Sequence, residues 1–158
     1  MNLGEIDNFS LTNKTKRNVP DIPFVSIKNK ILGPSYGISL VFIGPRKAKD
    51  LNKKYRHKDY FPNVLTFPLE KKTGEIFINL SQAKKESASY QQSPDLHIAF
   101  LFIHGLLHLK GMSHGSKMEG EEKKFLETFF RDDQKLHHRF GYRNELDSSR
   151  RLRTKKRR

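Results

Sequence analysis

The sequence contains no cysteine in 158 residues, and this absence excludes four kinds of site. A disulfide scaffold, a cysteine-ligated zinc ribbon, an iron–sulfur cluster and a cysteine nucleophile all need a thiol. Long apolar runs are also missing, since no segment approaches the ~20 residues that a membrane-spanning helix requires. The N-terminal segment carries acidic residues and lacks the apolar core of a secretory signal. We therefore expect a cytoplasmic protein with no membrane partner.

Basic residues are in large excess over acidic ones. The chain has 31 Lys and Arg against 17 Asp and Glu, which gives a formal net charge of +14. An excess of this size predicts a polyanionic partner, either nucleic acid or an anionic membrane surface. Seven of the nine residues in 150–158 are Lys or Arg, and such a run is typical of a solvated tail. We predict one domain over residues 1–140 and a basic, flexible tail over 141–158.

The order of apolar and turn-forming segments predicts a single α+β domain, whose 12 Phe can contribute to one core. We expect a small mixed sheet packed with about five helices, with a histidine-bearing helix at the centre. Strands are expected at residues 4–12, as an edge strand, and at 36–43, 63–67 and 75–80. Helices are expected at 23–32, 46–55, 82–90, 94–110 and 117–136, with Asp21, Ser81 and Ser93 as caps of the first, third and fourth.

Residues 104–114 read HGLLHLKGMSH and contain a metal-ligand pattern. His104 and His108 are one helical turn apart, so both imidazole rings can point at one ion. Gly111 predicts the end of the helix, and His114 can then supply a third ligand from the following turn. Three imidazoles leave the fourth position of a tetrahedral site open, as in catalytic zinc sites. Imidazole also binds nickel, copper and iron, so the pattern predicts the ligands rather than the metal.

A metal site is favoured over two packed core histidines, because two buried imidazoles would each need a polar partner. The standard zinc-protease helix, H-E-x-x-H, is excluded because Gly105 stands where its general base would be. We expect this glycine to open space on the metal side for a bulky substrate.

The histidine segment and three upstream segments together resemble the YbeY family of bacterial rRNA maturation factors. Residues 104–114 match the family signature H-G-x-L-H-L-x-G-x-D-H except at Ser113. The upstream segments 51–56 (LNKKYR), 63–68 (NVLTFP) and 74–76 (GEI) are similar to the family's L-N-x-x-[YF]-R, V-L-S-F-P and G-D-I. The order of the four segments is also that of the family.

The resemblance implies an α+β fold with one Zn²⁺ ion per chain, held by His104, His108 and His114. It also implies a single-strand endoribonuclease, a metal-dependent hydrolase that acts in 16S rRNA 3′-end maturation and ribosome quality control. The implied partners are the single-stranded 16S rRNA precursor and the small ribosomal subunit with its proteins. Arg56 matches the arginine of the family's cleft, which implies a catalytic role in clamping a phosphate and stabilising transition-state charge. Without the resemblance, Arg56 is interpreted as an exposed residue of a basic helix.

Ser113 stands where the family has an aspartate. If that aspartate orients a histidine by a hydrogen bond, serine replaces it only in part because it lacks the charge. We therefore expect a lower metal affinity or a less basic metal-bound water in this chain.

Two groups of residues have both a functional and a structural interpretation. Tyr55, Tyr60 and Phe61 lie among lysines and could stack on bases, although we expect Tyr55 to belong to the core. His97 is ~10 Å along the helix axis from His104, too far to share its ion, and we interpret it as a cleft or packing residue.

Three acids near the start of the last helix, Glu119, Glu121 and Glu122, could be acid–base groups. We interpret them instead as residues that favour the helix dipole.

Two functions of different classes remain open. In the first, the protein is a metal-dependent endoribonuclease without a visible general base, and either water or a 2′-hydroxyl attacks the phosphate. In the second, it is a non-catalytic rRNA or ribosome assembly factor whose zinc is structural, which a fourth protein ligand would indicate. A metal hydrolase of another substrate ranks lower because it does not explain the charge of +14.

Overall fold

The computed structural model describes residues 2–6, as backbone alone, and residues 8–131. The strands are β1 (Asn2–Ile6), β2 (Phe9–Asn13), β3 (Gly37–Ile43), β4 (Val64–Pro68) and β5 (Thr73–Asn79). The helices are α1 (Phe24–Leu32), α2 (Pro45–Arg56), α3 (Leu80–Ser89), α4 (Pro94–Leu109) and α5 (Ser116–Phe130). The tail predicted over 141–158 and the end of the last predicted helix lie outside the described residues.

The five strands form one mixed sheet in the order β1-β2-β3-β5-β4. Strands β2, β3 and β5 are parallel, while β1 and β4 pair antiparallel at the two edges. The prediction of an α+β fold with a small mixed sheet and about five helices is confirmed. The single edge strand expected at 4–12 is wrong, because the chain turns at Asn8 (φ 58°) and makes two strands. The second of these, β2, lies inside the sheet.

The two faces of the sheet carry different cores. Ile38, Leu40 and Phe42 of β3 belong to the main core, to which α1, α4 and α5 also contribute. Val41 and Ile43 of the same strand pack against α2 on the opposite face. Because both faces of β3 are covered, its sequence is a nearly continuous apolar run rather than an alternating one.

Helix α4 is the histidine-bearing central helix that the sequence predicts. The Ser93 hydroxyl accepts a hydrogen bond from the backbone N–H of Leu96 at 3.2 Å, and Pro94 occupies the first turn. Gly111 adopts a φ of 102° just after the helix, a conformation that favours glycine. Although α4 is strongly apolar, it has 16 residues, and no helix in the described ranges is long and apolar enough to cross a bilayer.

Two of the predicted helix caps are wrong. Helix α1 begins after Pro23 rather than at Asp21, because a tight turn separates Asp21 from the helix. Helix α3 is capped by Asn79 in place of Ser81, since the Asn79 side chain accepts a hydrogen bond from the backbone N–H of Gln82 at 3.2 Å.

Candidate metal centre

Three histidine side chains meet at the C-terminal end of α4. The Nε2 atom of His104 lies 3.0 Å from that of His108 and 3.2 Å from that of His114. The Nε2 atoms of His108 and His114 are 2.9 Å apart. The turn at Gly111 reverses the chain after the helix and brings His114 back beside α4. The structure therefore brings together the three histidines that the sequence predicts as ligands.

The other ring nitrogens of two of these histidines are held by hydrogen bonds. Nδ1 of His104 donates to Oε1 of Glu122 at 2.7 Å. Nδ1 of His108 donates to the backbone carbonyl of Met112 at 3.0 Å. A carboxylate and a carbonyl oxygen are acceptors, so the proton of each neutral ring resides on Nδ1. Both Nε2 atoms then carry lone pairs that face the centre of the cluster.

This donor set fits a small divalent metal ion. Two nitrogen lone pairs at 3.0 Å repel one another unless a cation or proton lies between them. In a tetrahedral zinc site, bonds of about 2.0–2.1 Å place ligand nitrogens about 3.3 Å apart, close to the observed separations. Burial of the His108 ring lowers its pKa, which favours the neutral ring that a metal requires.

Glu122 is a site residue that the sequence interpretation missed. Its side chain is only 7% exposed and lies on α5, the helix that follows the third histidine. The signal was present in the spacing, because Met118, Phe125 and Leu126 are buried on the same stripe of α5. A carboxylate in an apolar stripe needs a specific partner, and here the partner is His104. Glu119, by contrast, is exposed in the first turn as expected.

The expectation that Gly105 opens space on the metal side is wrong. A Cβ atom at this position would lie 3.0 Å from Oγ1 of Thr66 and 3.1 Å from Cδ1 of Ile76. These atoms belong to β4 and β5, so the glycine faces the sheet. One residue along a helix rotates the side chain by about 100°, which turns position 105 away from the histidine cluster that His104 faces. The glycine instead allows α4 to approach the sheet closely.

Ser113 is exposed beside the histidine cluster. The orienting partners of His104 and His108 are Glu122 and the Met112 carbonyl, and neither involves position 113. The lower metal affinity expected from replacing the family aspartate with serine stays a prediction.

Arg56 is the last residue of α2 and is exposed, so its catalytic role stays a prediction. The preceding Tyr55 was expected in the core, but it is 56% exposed. Helix α2 ends over the edge strand β4, where the Tyr55 ring contacts Phe67 at 5.4 Å between centroids.

His97 is buried, with 1% exposure, as expected of a packing residue. Its Nε2 atom lies 2.8 Å from Oε2 of Glu86 on α3. Burial raises the pKa of Glu86, but hydrogen bonds from His97 and from two side-chain amides outweigh that effect, and the pKa falls below its ordinary value. The ring of His97 stacks on Phe100, which in turn contacts His104. This cluster ties α3 to α4 one side chain away from the metal centre.

Comparisons with known proteins identify relatives over most of the described chain. A chain from Janthinobacterium named endoribonuclease YbeY is 36% identical over 124 residues, which cover 75% of this chain and 77% of that one. Proteins of the same name from Spiroplasma citri and Phytoplasma mali are 39% and 47% identical, over 56% and 52% of this chain. Those two alignments span only 63% and 57% of the relatives' own lengths.

The solution structure of TM1509 from Thermotoga maritima has a similar fold, with a TM-score of 0.59 and 21% sequence identity. The match covers 80% of this chain and 94% of the TM1509 chain. The family model described as endoribonuclease YbeY matches residues 6–132. This range includes the entire histidine cluster and Glu122. The chain therefore belongs to the YbeY family.

Proposed function

We propose that this protein is a zinc-dependent endoribonuclease that cleaves single-stranded RNA in the cytoplasm. Its proposed role is the maturation of the 16S rRNA 3′ end and ribosome quality control, in contact with the small ribosomal subunit. The observation that carries the proposal is the convergence of three Nε2 atoms within 3.2 Å of one another. The family membership and the net charge of +14 support an RNA substrate.

His104, His108 and His114 would hold the metal ion through their Nε2 atoms. When bound, a zinc ion in a three-histidine site supplies Lewis-acid polarisation and lowers the pKa of a coordinated water toward ~7. Glu122 fixes the orientation of the His104 ring and compensates part of the positive charge. The Met112 carbonyl holds the His108 ring in the same way. Two of the three proposed ligands, His104 and His108, are therefore already oriented before RNA binds.

Arg56 would bind the scissile phosphate. Its guanidinium offers paired N–H donors to two phosphate oxygens and carries a charge at any physiological pH. Charge builds up on these oxygens as the phosphorus is attacked, so the interaction strengthens in the transition state. The exposed position at the end of α2 leaves the side chain accessible to a polynucleotide.

The experiment is cleavage of a single-stranded RNA labelled at its 5′ end, with analysis of the product ends. Water attack leaves a 5′-phosphate, whereas attack by the 2′-hydroxyl leaves a 2′,3′-cyclic phosphate. We expect the wild type to cleave, His108→Ala to lose activity and Arg56→Ala to lose at least tenfold in kcat, the order seen for transition-state donors. His57→Asn is the matched control, because His57 is an exposed histidine with a left-handed φ of 56° that asparagine accepts.

If the zinc-loaded wild type binds the RNA but does not cleave it, the proposed endoribonuclease activity is contradicted. The same result would favour a non-catalytic assembly factor with a structural zinc.

A further inference from the structure

A groove between α2 and α3 lies at the carboxyl ends of two parallel strands. Helix α2 follows β3 and packs on one face of the sheet through Ala48 and Leu51. Helix α3 follows β5, and its Leu80 and Ala83 belong to the main core on the other face. The chain thus leaves neighbouring parallel strands in opposite directions, which opens a crevice. In open sheets of this kind, ligands bind in such a crevice outside the strand ends.

The groove is cationic and has an aromatic wall. Its volume is about 660 Å³, and its cations are Arg46, Lys49 and Lys85, against one acidic residue, Asp50. Phe61 also lines the groove and is 48% exposed. The Nζ atom of Lys49 lies 4.9 Å from the centroid of the Phe61 ring, so a charge and a flat apolar surface are adjacent. Lys49 also forms a surface ion pair with Asp59 at 3.6 Å, an interaction that is weak in water.

These features match the chemistry of one nucleotide. Pockets for small ligands are typically about 300–1,000 Å³, and this groove falls within that range. Lysine and arginine bind phosphates, while an exposed aromatic ring stacks on any base without selecting its sequence. An anionic membrane surface is disfavoured because the groove is concave and contains a single exposed aromatic ring.

We propose that this groove binds a nucleotide of a single-stranded RNA at a distance from the metal centre, with its phosphate on Arg46, Lys49 and Lys85 and its base on Phe61. The inference rests on the proposed function for the identity of the polyanion.

The groove and the metal centre are joined through a short series of contacts. Gln82 lines the groove and donates a hydrogen bond to Glu86 at 3.3 Å. Glu86 bonds to His97, which precedes His104 by seven residues, or ~10 Å along α4. The two sites are therefore separate, and an RNA strand that occupies both must extend beyond the cleaved bond. The groove accordingly sets a minimum substrate length.

The test compares two double variants in a full chain that carries His108→Ala, so that bound RNA stays intact. Arg46→Gln/Lys85→Gln removes two exposed groove charges. Lys47→Gln/Lys84→Gln removes the exposed charges next to them in sequence, which do not line the groove. Binding of a fluorescent 12-nucleotide RNA is measured by anisotropy at several salt concentrations.

We expect the groove variant to raise Kd about tenfold and to reduce the salt slope by about 1.4, which is about 0.7 for each phosphate contact that a single strand loses. The control variant should change both quantities much less. Phe61→Leu should raise Kd about fivefold, because leucine keeps apolar bulk but cannot stack.

Equal weakening by the two double variants would overturn the proposal, since the effect would then be diffuse surface charge. Preferential loss of binding to phosphatidylserine vesicles, with RNA binding unchanged, would also overturn it. A zinc-loaded wild type that fails to cleave RNA, while the groove variant still binds it more weakly, would refute the endoribonuclease alone. The two failures are therefore distinguishable.

Discussion

Replacing Glu122 with glutamine changes the charge beside the metal centre and little else. Glutamine keeps the shape of the side chain, and its oxygen can still accept the proton of His104 Nδ1. The 2.7 Å bond and the 7% exposure of the Glu122 side chain mean that solvent screens the carboxylate weakly. Loss of such a hydrogen-bond partner typically costs 10- to 100-fold in metal affinity. For Glu122→Gln we expect the smaller loss of zinc affinity, about tenfold or ~1.4 kcal/mol of binding free energy.

Glu122→Ala should lower the zinc affinity by about 100-fold, because the His104 ring also loses its orientation. The assay is competition for zinc against a chelator of known affinity at pH 7, with folding checked by circular dichroism. Glu119→Gln is the control, since it removes an exposed carboxylate from the same helix. Wild-type zinc affinity in a folded Glu122→Gln protein would refute the reasoning that this carboxylate supports the site.

Three further predictions concern packing and pH. Gly105→Ala should destabilise the protein by about 1–3 kcal/mol, measured by urea unfolding, because the new methyl group meets Thr66 at 3.0 Å. Gly120→Ala, in a helix position with open space, should instead stabilise by about 0.5–1 kcal/mol. Glu86→Gln should lower the free energy of unfolding by about 2 kcal/mol at pH 7, because it weakens the hydrogen bond with His97. Because the folded-state pKa of Glu86 is lowered, that stabilisation is present above about pH 4.5 and lost as the pH falls through the folded pKa. The difference between wild type and Glu86→Gln should therefore shrink in acid, and a constant difference would contradict the assignment.

The local features of the site could be predicted from the sequence. His104 and His108 are one turn apart on any helix, and Ser93 and Gly111 are strong start and stop signals for that helix. These signals act over a few residues, so they do not depend on the rest of the fold. The positions of His104, His108 and His114 therefore followed from spacing alone.

Features that depend on packing between distant segments were not predicted. Glu122 contacts His104 across 18 residues of sequence, so no local pattern indicates this pair. An acidic residue near the start of a helix is also explained by its favourable interaction with the helix dipole. Tyr55 looked like a core residue because aromatic residues usually are, but the place where α2 crosses the edge strand leaves it exposed. Gly105 faces the sheet rather than the histidines, an orientation that follows from the rotation of about 100° per residue.

The family motifs added what spacing alone left open. Imidazole spacing does not distinguish zinc from nickel, copper or iron, and nothing in the order of charges selects RNA over other polyanions. The role of Arg56 likewise depends on the family motif, because an exposed arginine at the end of α2 is indistinguishable from an ordinary surface arginine.

The proposed function depends on one metal ion held by the three histidines. The most direct measurement is elemental analysis of metal content on the untagged wild type and on His108→Ala, purified in parallel. We expect about one zinc per chain in the wild type and a loss of that zinc in the folded variant. A wild type without bound metal, or a His108→Ala protein that retains a full equivalent, would contradict this expectation.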